Sequence, residues 1–593
     1  MNLAVPPEPL TARQRTIVLC VALLCAATRF VTLARSMWDW DEALFLLGMR
    51  DYDVAMHHPH PPGFPVYIGL AKLVRLVAGS DFHALQAINV VAAMLVFPAM
   101  FLFVRELRLR FPVALGAAAL FAFFPNVWFF GGGAFSDIPS IVLVLFAVTY
   151  LLRGADADSR GRNAYFIGTF LLALAIGIRP QNFLLGLVPG IYATRKRRPG
   201  EILIAFLIGL TVVLAAFGSA VYATGSWKEY LRAIREHGDY IARVDSWRSP
   251  DRPPLWRLLD RFFVKQYQWP VLGVIASLFV IASIGGAIRE RNRSLLLNAL
   301  TFLPFAIFAW LMLDRFSISR FSIGYQPMFA IFLADGIRRV ARQRETIATA
   351  LTAGFIAAFA IYTVPAMTEV RNEIAPSILA ARAVAQHVDP ARHQLFVGHT
   401  MSKFVDLVTP NFPYIRVIDD RAMPLSTQRP AWLLAEITRT GEGGFVFRRE
   451  RGTLWNIARR HYFEIKLQPL EARPRFVSGW YAPEAMDIHE WRWMSGRSVT
   501  LLPPGRGRTL LRMHFGVPRE VSPRNPTITV RLNGRIVDQF RTTDAYVERD
   551  YRVEAAPRGL PNVLELSIDR TVNPASDGRE LGLRLRYLAW GPA

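Results

Sequence analysis

The stretch "WDWDEALFLLGMRDYDVAMHHPHPPGFP", Trp38 to Pro65, decides how the chain is read. It follows closely on the first long apolar run, "RQRTIVLCVALLCAATRFVTLA". It carries Asp39, Asp41, Glu42, Asp51 and Asp53, then His57, His58 and His60 wedged among prolines. Ionisable groups beside a membrane span are costly and mark functional sites by default. The run is therefore expected to be a span at about 16–34, and the stretch a polar site just outside it. A signal peptide is the other reading of the run, but no small-residue cleavage pattern follows it.

The rest of the chain supports a membrane protein. Its 593 residues are 52% hydrophobic, with a mean hydropathy of +0.25, more apolar than soluble domains of this size. The apolar residues cluster in windows near the length of a bilayer span. After the first, further spans are expected at about 84–104, 112–131, 137–152, 164–178, 181–194, 201–223, 268–288, 294–313, 321–337 and 346–365, eleven in all. Basic groups mark alternate connections: Arg13/Arg15, Arg105/Arg108/Arg110, Arg153/Arg160/Arg162, Arg195–Arg198, Arg289/Arg291/Arg293 and Arg338/Arg339/Arg342/Arg344. The positive-inside rule makes these cytoplasmic. The opening stretch, the loop near Asp137, the 224–267 loop, the 314–320 turn and everything after about 366 then lie outside. The net charge of +23 is explained largely by these loops. No nucleic-acid recognition module accompanies it, so no nucleic-acid partner is expected. The two cysteines, Cys20 and Cys25, sit in the first run, so no disulfide framework holds an exported part.

Past 366 the composition changes. Residues 366–474 mix helical and strand patterns, as in "RHQLFVGHT" and "PYIRVIDD". Residues 475–593 read as strands with turn signals. "TITVRLNGRIVDQF" alternates apolar and polar residues around Asn533-Gly534, the pair that favours a tight hairpin. "NVLELSID" and "LGLRLRYLAW" alternate too, which suggests a β-sandwich. The expected fold class is a polytopic α-helical membrane protein of about eleven helices (1–365), an extracytoplasmic mixed α/β segment (366–474) and an extracytoplasmic β-sandwich (475–593).

Several polar groups fall on the expected outer face, and each has a plain and a functional reading. Asp41-Glu42 could serve as a base, bind a cation or pair with arginine; as a plain loop it would only be solvated, with Trp38 and Trp40 as interfacial anchors. "HPHPPGFPVYIGLAKLVRL" is too short and charged for a span and suits an amphipathic helix in the interface. In "GGGAFSDIPSIVLVLFAV", Asp137 stands at the outer end of the fourth span, where a simple N-cap is the alternative. "RFSISRFSIGYQPMFA" sets Arg315 and Arg320 at the outer boundary of the tenth span, and "AIGIRPQNFLLGL" sets Arg179 at a break between two apolar segments. Arginine there can hold a lipid phosphate with its planar fork or simply snorkel to headgroups.

Together these elements resemble the GT-C superfamily of polyprenyl-phosphate-sugar-dependent membrane glycosyltransferases, and within it the protein O-mannosyltransferase and lipid A aminoarabinose transferase type. "DEALF" (Asp41-Glu42) after the first span, "HPHPPGF" (His60-Pro61-Pro62) opening an interfacial helix, "SDIPS" (Asp137) before the fourth span and "SRFSIGYQPMFA" (Arg320) before a late span are similar to that family's motifs, over about residues 10–365. The resemblance implies transfer of a sugar from a polyprenyl-phosphate donor to an acceptor hydroxyl of a cell-surface glycan, lipid or protein, on the outer face of a bacterial inner membrane. It implies Asp41 as general base, with Glu42 beside it, and Asp137 orienting acceptor or sugar. Arg320, with Arg179 or His60, would stabilise the leaving phosphate. Trp40, His58 and Trp480 are the candidates for touching the acceptor or the sugar.

The sequence also departs from the pattern. The aminoarabinose transferases carry Lys before the Pro-Pro pair, where this chain has His60, which is not dependably cationic at neutral pH. Asp39 competes with Asp41 for the base in "DWD". No cofactor and no structural metal are expected, since prolines disrupt ligand geometry around the three histidines and no second ligand cluster is seen. A divalent cation on Asp41 and Asp137 stays open. The aromatics of "VSGWYAPEAMDIHEWRWMSG" could stack on sugar, or form only a sandwich core and edge. The competing function is a transporter or flippase of lipid-linked glycans, for which charge near the membrane midplane is usual; the charges in this chain crowd the outer face instead.

Overall fold

In a bilayer every backbone N–H and C=O must be satisfied within the segment, so apolar windows of this kind fold as helices. The computed structural model describes residues 9–593 except 245, 250–253, 313–319, 427–428, 437–442, 450–463, 471–472, 506 and 558. Each of the eleven windows contains helix. Among the described residues six helices are long and apolar enough to cross a membrane: Asp81–Glu106, Ser159–Ile178, Pro199–Ala223, Pro270–Arg289, Arg293–Met312 and the helix that begins at Glu345. The other windows hold shorter or more charged helices, for local reasons. Ala12–Phe30 carries three arginines. The 112–131 window is broken by Pro125 into Phe111–Phe123 and Pro125–Phe130. Asp137–Arg153, Phe183–Thr194 and Gln326–Val340 are shorter than 18 residues.

The chain divides into two units, Met1–Ala375 and Pro376–Glu450 with His461–Ala593. In the first, Asp137–Arg153 is the central helix, with 13 of its 17 residues buried. A helix apolar all round is one surrounded by protein. Phe97, Phe121, Phe124, Leu145, Phe302 and Phe359 belong to one fully buried core around it. By contrast Pro199–Ala223 buries only Ala205 and Ala220, as expected of a helix facing lipid.

The helix expected to lie in the interface is Pro65–Val74, with Tyr67, Ile68 and Ala71 buried and Leu70 and Leu73 exposed. The 224–267 segment differs from the loop expected of it. It forms the helices Trp227–Val244 and Leu255–Phe263. The first is polar overall, which hides it from a hydropathy reading. Its Tyr230 and Ala233 are nonetheless buried, and Tyr230 Oη donates to Pro62 O at 3.0 Å.

The second unit has two sheets. Strands β1 (Gln394–Gly398), β2 (Ile415–Val417), β3 (Ala431–Glu436), β4 (Phe445–Arg448) and β5 (Glu464–Pro469) lie in the order β2-β1-β3-β5-β4. The pairs of β1 with β2 and β3 are parallel; the others are antiparallel. Strands β6 (Arg475–Met486), β7 (His489–Leu502), β8 (Arg508–Gly516), β9 (Thr527–Leu532), β10 (Arg535–Arg541), β11 (Tyr546–Glu554), β12 (Asn562–Ile568) and β13 (Arg584–Pro592) make an eight-stranded antiparallel sheet. Its layers are joined through β7, which pairs β12 along residues 497–502 and β13 at 492–493. The sheet therefore wraps one core, to which Met494, Met513, Phe515, Val530, Leu566 and Leu588 belong. The hairpin at Asn533-Gly534 forms as expected: Leu532 pairs Arg535, and both turn residues have positive φ, 52° and 78°.

Candidate active site

The site is built from the start of the helix Trp40–Arg50. Asp39 is its N-cap, accepting the Asp41 N–H at 3.0 Å. Glu42, three residues on, closes a capping box: its Oε2 accepts the Trp38 and Asp39 N–H groups at 2.6 and 3.0 Å. Its other oxygen reaches across the fold to accept the Ala134 N–H at 2.8 Å. Glu42 is 1% exposed. It is therefore a clamp between the helix start and the Gly131–Phe135 turn. Burial pushes its carboxyl up to about 7, against the three N–H groups that favour its charge.

The same turn is pinned from the helix Asp81–Glu106. Gln86 Nε2 donates to Ala34 O and Gly132 O, both at 2.8 Å. Asn89 Nδ2 donates to Phe130 O and Gly133 O, both at 2.7 Å. Glycine is required at 132, where a Cβ would stand 2.2 Å from the Thr32 carbonyl oxygen. These contacts bring Asp137, at the head of the next helix, to the same place as Asp41.

Two arginines meet these carboxylates. Arg320 forms an ion pair with Asp41, and its Nε lies 3.8 Å from Asp137 Oδ2. Arg179 Nη2 lies 2.8 Å from the same Asp137 oxygen, and its Nε donates to Ser136 Oγ at 3.0 Å. The side chains of Arg320 and Asp137 are 2% and 4% exposed, that of Asp41 14%. Charges so buried persist only when paired. Burial works against the Arg320 charge, but Asp41, Asp137 and Asp39 more than offset it and raise the guanidinium above its ordinary range. Arg179 stays below its ordinary range, because burial there outweighs the pull of Asp137. Phe135 lies under Arg320 at 4.9 Å and Phe64 under Arg179 at 5.6 Å.

Local backbone chemistry aims both arginines. The helix Ser159–Ile178 stops before Pro180, leaving Arg179 as an extended C-cap. Arg320 opens a 3₁₀ turn, Arg320–Gly324. Ser322 Oγ in that turn accepts from Asn126 Nδ2 at 2.9 Å and from Gln326 Nε2 at 3.1 Å. A small cavity bounded by Asp137, Ser140, Arg179, Asn182 and Arg320 lies beside the cluster. Arg320 Nη1, of the cavity lining, has no hydrogen-bond partner among the described residues, and neither has the buried His60 Nδ1.

Asp41, Asp137, Arg179 and Arg320 are thus brought together. Glu42 is beside them, with its carboxylate committed to backbone. His60 packs against Phe64, His237 and Phe45, with ring centroids 4.8, 5.8 and 6.0 Å away. Desolvation holds it well below its ordinary range, so the imidazole is neutral. Trp40 is half-buried, and His58 Nδ1 lies 3.8 Å from Asp51. Trp480 belongs to the second unit, where its Nε1 donates to Thr500 Oγ1 at 3.0 Å. Arg315 lies outside the described residues. Arg320 bridges Asp41 and Asp137, the two carboxylates a divalent cation would need. Among the described residues no three His, Cys, Asp or Glu side chains are grouped as metal ligands would be.

Sequence reasoning missed Phe135 and Asn182, which carry no motif. It also missed His237, which had a signal: Tyr230, Ala233/Ile234 and His237 follow at helical spacing.

No family model matches the sequence, and no curated protein matches it. The fold does have solved counterparts. It is similar to the crystal structure of ArnT from Cupriavidus metallidurans bound to undecaprenyl phosphate, with a TM-score of 0.50, 12% identity, and coverage of 78% of this chain and 98% of that one. The apo state of the same protein matches with a TM-score of 0.50, 13% identity, and coverage of 77% and 98%. At such identity the likeness is one of fold. The chain is a multi-pass membrane protein with a GT-C-like fold, as its resemblance to that superfamily implied.

Proposed function

We propose that the chain is a membrane glycosyltransferase that moves a sugar from a polyprenyl-phosphate donor to an acceptor hydroxyl, at the outer face of a bacterial inner membrane. The observation that carries this reading is the buried Asp41–Arg320–Asp137–Arg179 cluster with the unspent Arg320 Nη1 beside a cavity. A buried donor without a partner marks a place for a ligand oxygen. The fold partner ArnT binds undecaprenyl phosphate, which supports a donor of this chemistry.

The chemistry follows from the charges. The acceptor oxygen attacks the anomeric carbon as Asp41 takes its proton. The new C–O bond forms while the bond from carbon to the phosphate oxygen breaks, and the electron pair leaves on the phosphate. In-line attack inverts the anomeric centre. Arg320 and Arg179 stabilise the growing phosphate charge. Asp137 holds Arg179 in place and orients the incoming hydroxyl or sugar. The Asp41–Arg320 pair gives the donor a second role. A phosphate arriving on Arg320 competes with Asp41 for it, so the carboxylate loses a cationic partner and becomes more basic when the donor is bound. The neutral His60 serves as a hydrogen-bond partner of donor or sugar, with no charge of its own. Trp40 and His58 are proposed to bound the acceptor side, and the second unit, with Trp480, to lie outside the membrane.

The test is mass spectrometry of lipid-linked sugars and surface glycans in a strain lacking the gene. One sugar-phosphate lipid should accumulate while one glycan, lipid or protein loses a sugar. Unchanged profiles of both would sink the proposal.

A further inference from the structure

The second unit has a pocket of its own, of about 270 Å³, at the lower edge of the about 300–1,000 Å³ of small-molecule sites. Its floor is apolar, from Ile415, Val417, Met423 and Leu425. Two arginines face it from different strands: Arg416 on the edge strand β2, and Arg586, exposed, on β13. Among the described residues neither guanidinium has a carboxylate partner within ion-pair distance. Some other arginines of this unit are paired, Arg512 with Asp419 and Asp550, Arg579 with Asp577 and Glu484, and Arg497 with Glu565; what sets Arg416 and Arg586 apart is that both line one pocket.

The one carboxylate on the pocket wall, Glu490, is already engaged, accepting the Leu425 and Ser426 N–H groups at 2.7 and 3.2 Å. Neither arginine of the pocket is therefore tied up by Glu490, while Glu548 and Asp419 sit against the wall residues His514 and Tyr587. His399 and His489, also on the wall, are held below their ordinary range by desolvation and then by Arg416. A neutral imidazole offers one donor and one acceptor, the pattern that suits a sugar hydroxyl. Tyr546 closes one side. Its hydroxyl is 2.9 Å from His514 Nδ1, which fixes its ring; the Arg586 guanidinium lies over that ring at 5.8 Å, and the residue is 43% exposed, so a sugar ring would meet the part of Tyr546 that Arg586 does not cover.

We infer that this pocket binds one acidic sugar residue: its carboxylate on Arg416 and Arg586, a hydroxyl on His489, its ring against Tyr546. The size fits one monosaccharide unit. This site lies wholly within the second unit and does not depend on the reaction proposed above.

The test is equilibrium dialysis of the full chain in detergent with radiolabelled glucuronate, glucose and inorganic phosphate. Glucuronate should bind, and glucose at least about tenfold more weakly, since it lacks the charge-assisted bonds. Arg416→Ala and Arg586→Ala should each weaken glucuronate by about tenfold, and Tyr546→Ala should weaken it while leaving the charge dependence intact. Arg320→Ala should leave it unchanged, which separates this pocket from the site in the first unit. Arg416→Lys, retaining charge, should recover part of the affinity and guards against a folding artefact. Phosphate binding as tightly as glucuronate would reassign the pocket to phosphate groups and overturn the sugar. Absent glucuronate binding, equal binding of glucose, or loss in Arg320→Ala but not in the pocket variants would overturn the site itself.

Discussion

Asp41→Asn keeps the shape of the side chain and removes both charge and basicity. If Asp41 is the base, the chemical step should slow by about 10²–10⁴-fold, or about 3–5 kcal/mol of barrier. The structure sets the accompanying effects. Arg320 is buried, and Asp41 is its ion-pair partner. Breaking a buried pair costs about 3–5 kcal/mol when the remaining charge has nothing else. Asp137 stays 3.8 Å from Arg320 Nε, so the loss should be smaller, nearer the about 1–3 kcal/mol of one unsatisfied buried group. The variant should therefore fold. It should also bind donor at least as well as the wild type, since Arg320 no longer shares its charge with Asp41. The signature is a large fall in kcat with an unchanged or lower KM for donor. The assay uses purified protein in detergent with a lipid-linked sugar donor, and folding is checked by thermal unfolding. Asp39→Asn is the control. Asparagine still accepts the Asp41 N–H as an N-cap, so its effect should be mild. Near-normal transfer by Asp41→Asn with a dead Asp39→Asn would move the base to Asp39. Full activity in both, and in Asp137→Asn, would refute the mechanism.

Other outcomes follow from the same contacts. Arg320→Ala should raise the donor KM by about 10–100-fold as well as lower the rate, because it removes a charge-assisted phosphate contact; a change in kcat alone would contradict a phosphate role. Glu42→Gln cannot accept at both ends and should cost about 1–3 kcal/mol in unfolding experiments. Glu42 also gives a pH signature. With its folded pKa raised to about 7, the folded state binds more protons than the unfolded state between about 4.5 and 7, so this group's contribution to stability falls as pH rises through that window. Glu42→Gln should flatten that part of the profile, and an unaltered slope would count against the buried carboxyl. Gly132→Ala should destabilise by about 1–3 kcal/mol, because the new Cβ meets the Thr32 carbonyl. Reporter fusions after Arg198 and after Ala593 should signal opposite sides of the membrane; the same side from both would sink the orientation.

The sequence alone determined what is local. Runs of apolar residues specify helix in a bilayer, and each expected window contains one. Asn533-Gly534 specifies a tight hairpin, because both positions must tolerate positive φ. The helix start at Asp39 carried a local signal that the sequence reading left unused, an acid followed three residues on by Glu42. What hydropathy misread was also local: a helix such as Trp227–Val244, polar overall with one narrow buried stripe, looks like a loop to a window average. The division of labour among the acids was decided only by tertiary structure. Asp39, Asp41 and Glu42 are neighbours in sequence and chemically alike. Asp39 is a cap through its own helix start, but Asp41 becomes the partner of Arg320 and Glu42 a clamp only because the Gly131–Phe135 turn and Arg320, 279 positions from Asp41, are packed beside them. No periodicity records such a meeting. It comes from helix packing, from a glycine that lets one backbone approach another, and from the high cost of leaving a buried charge unpaired.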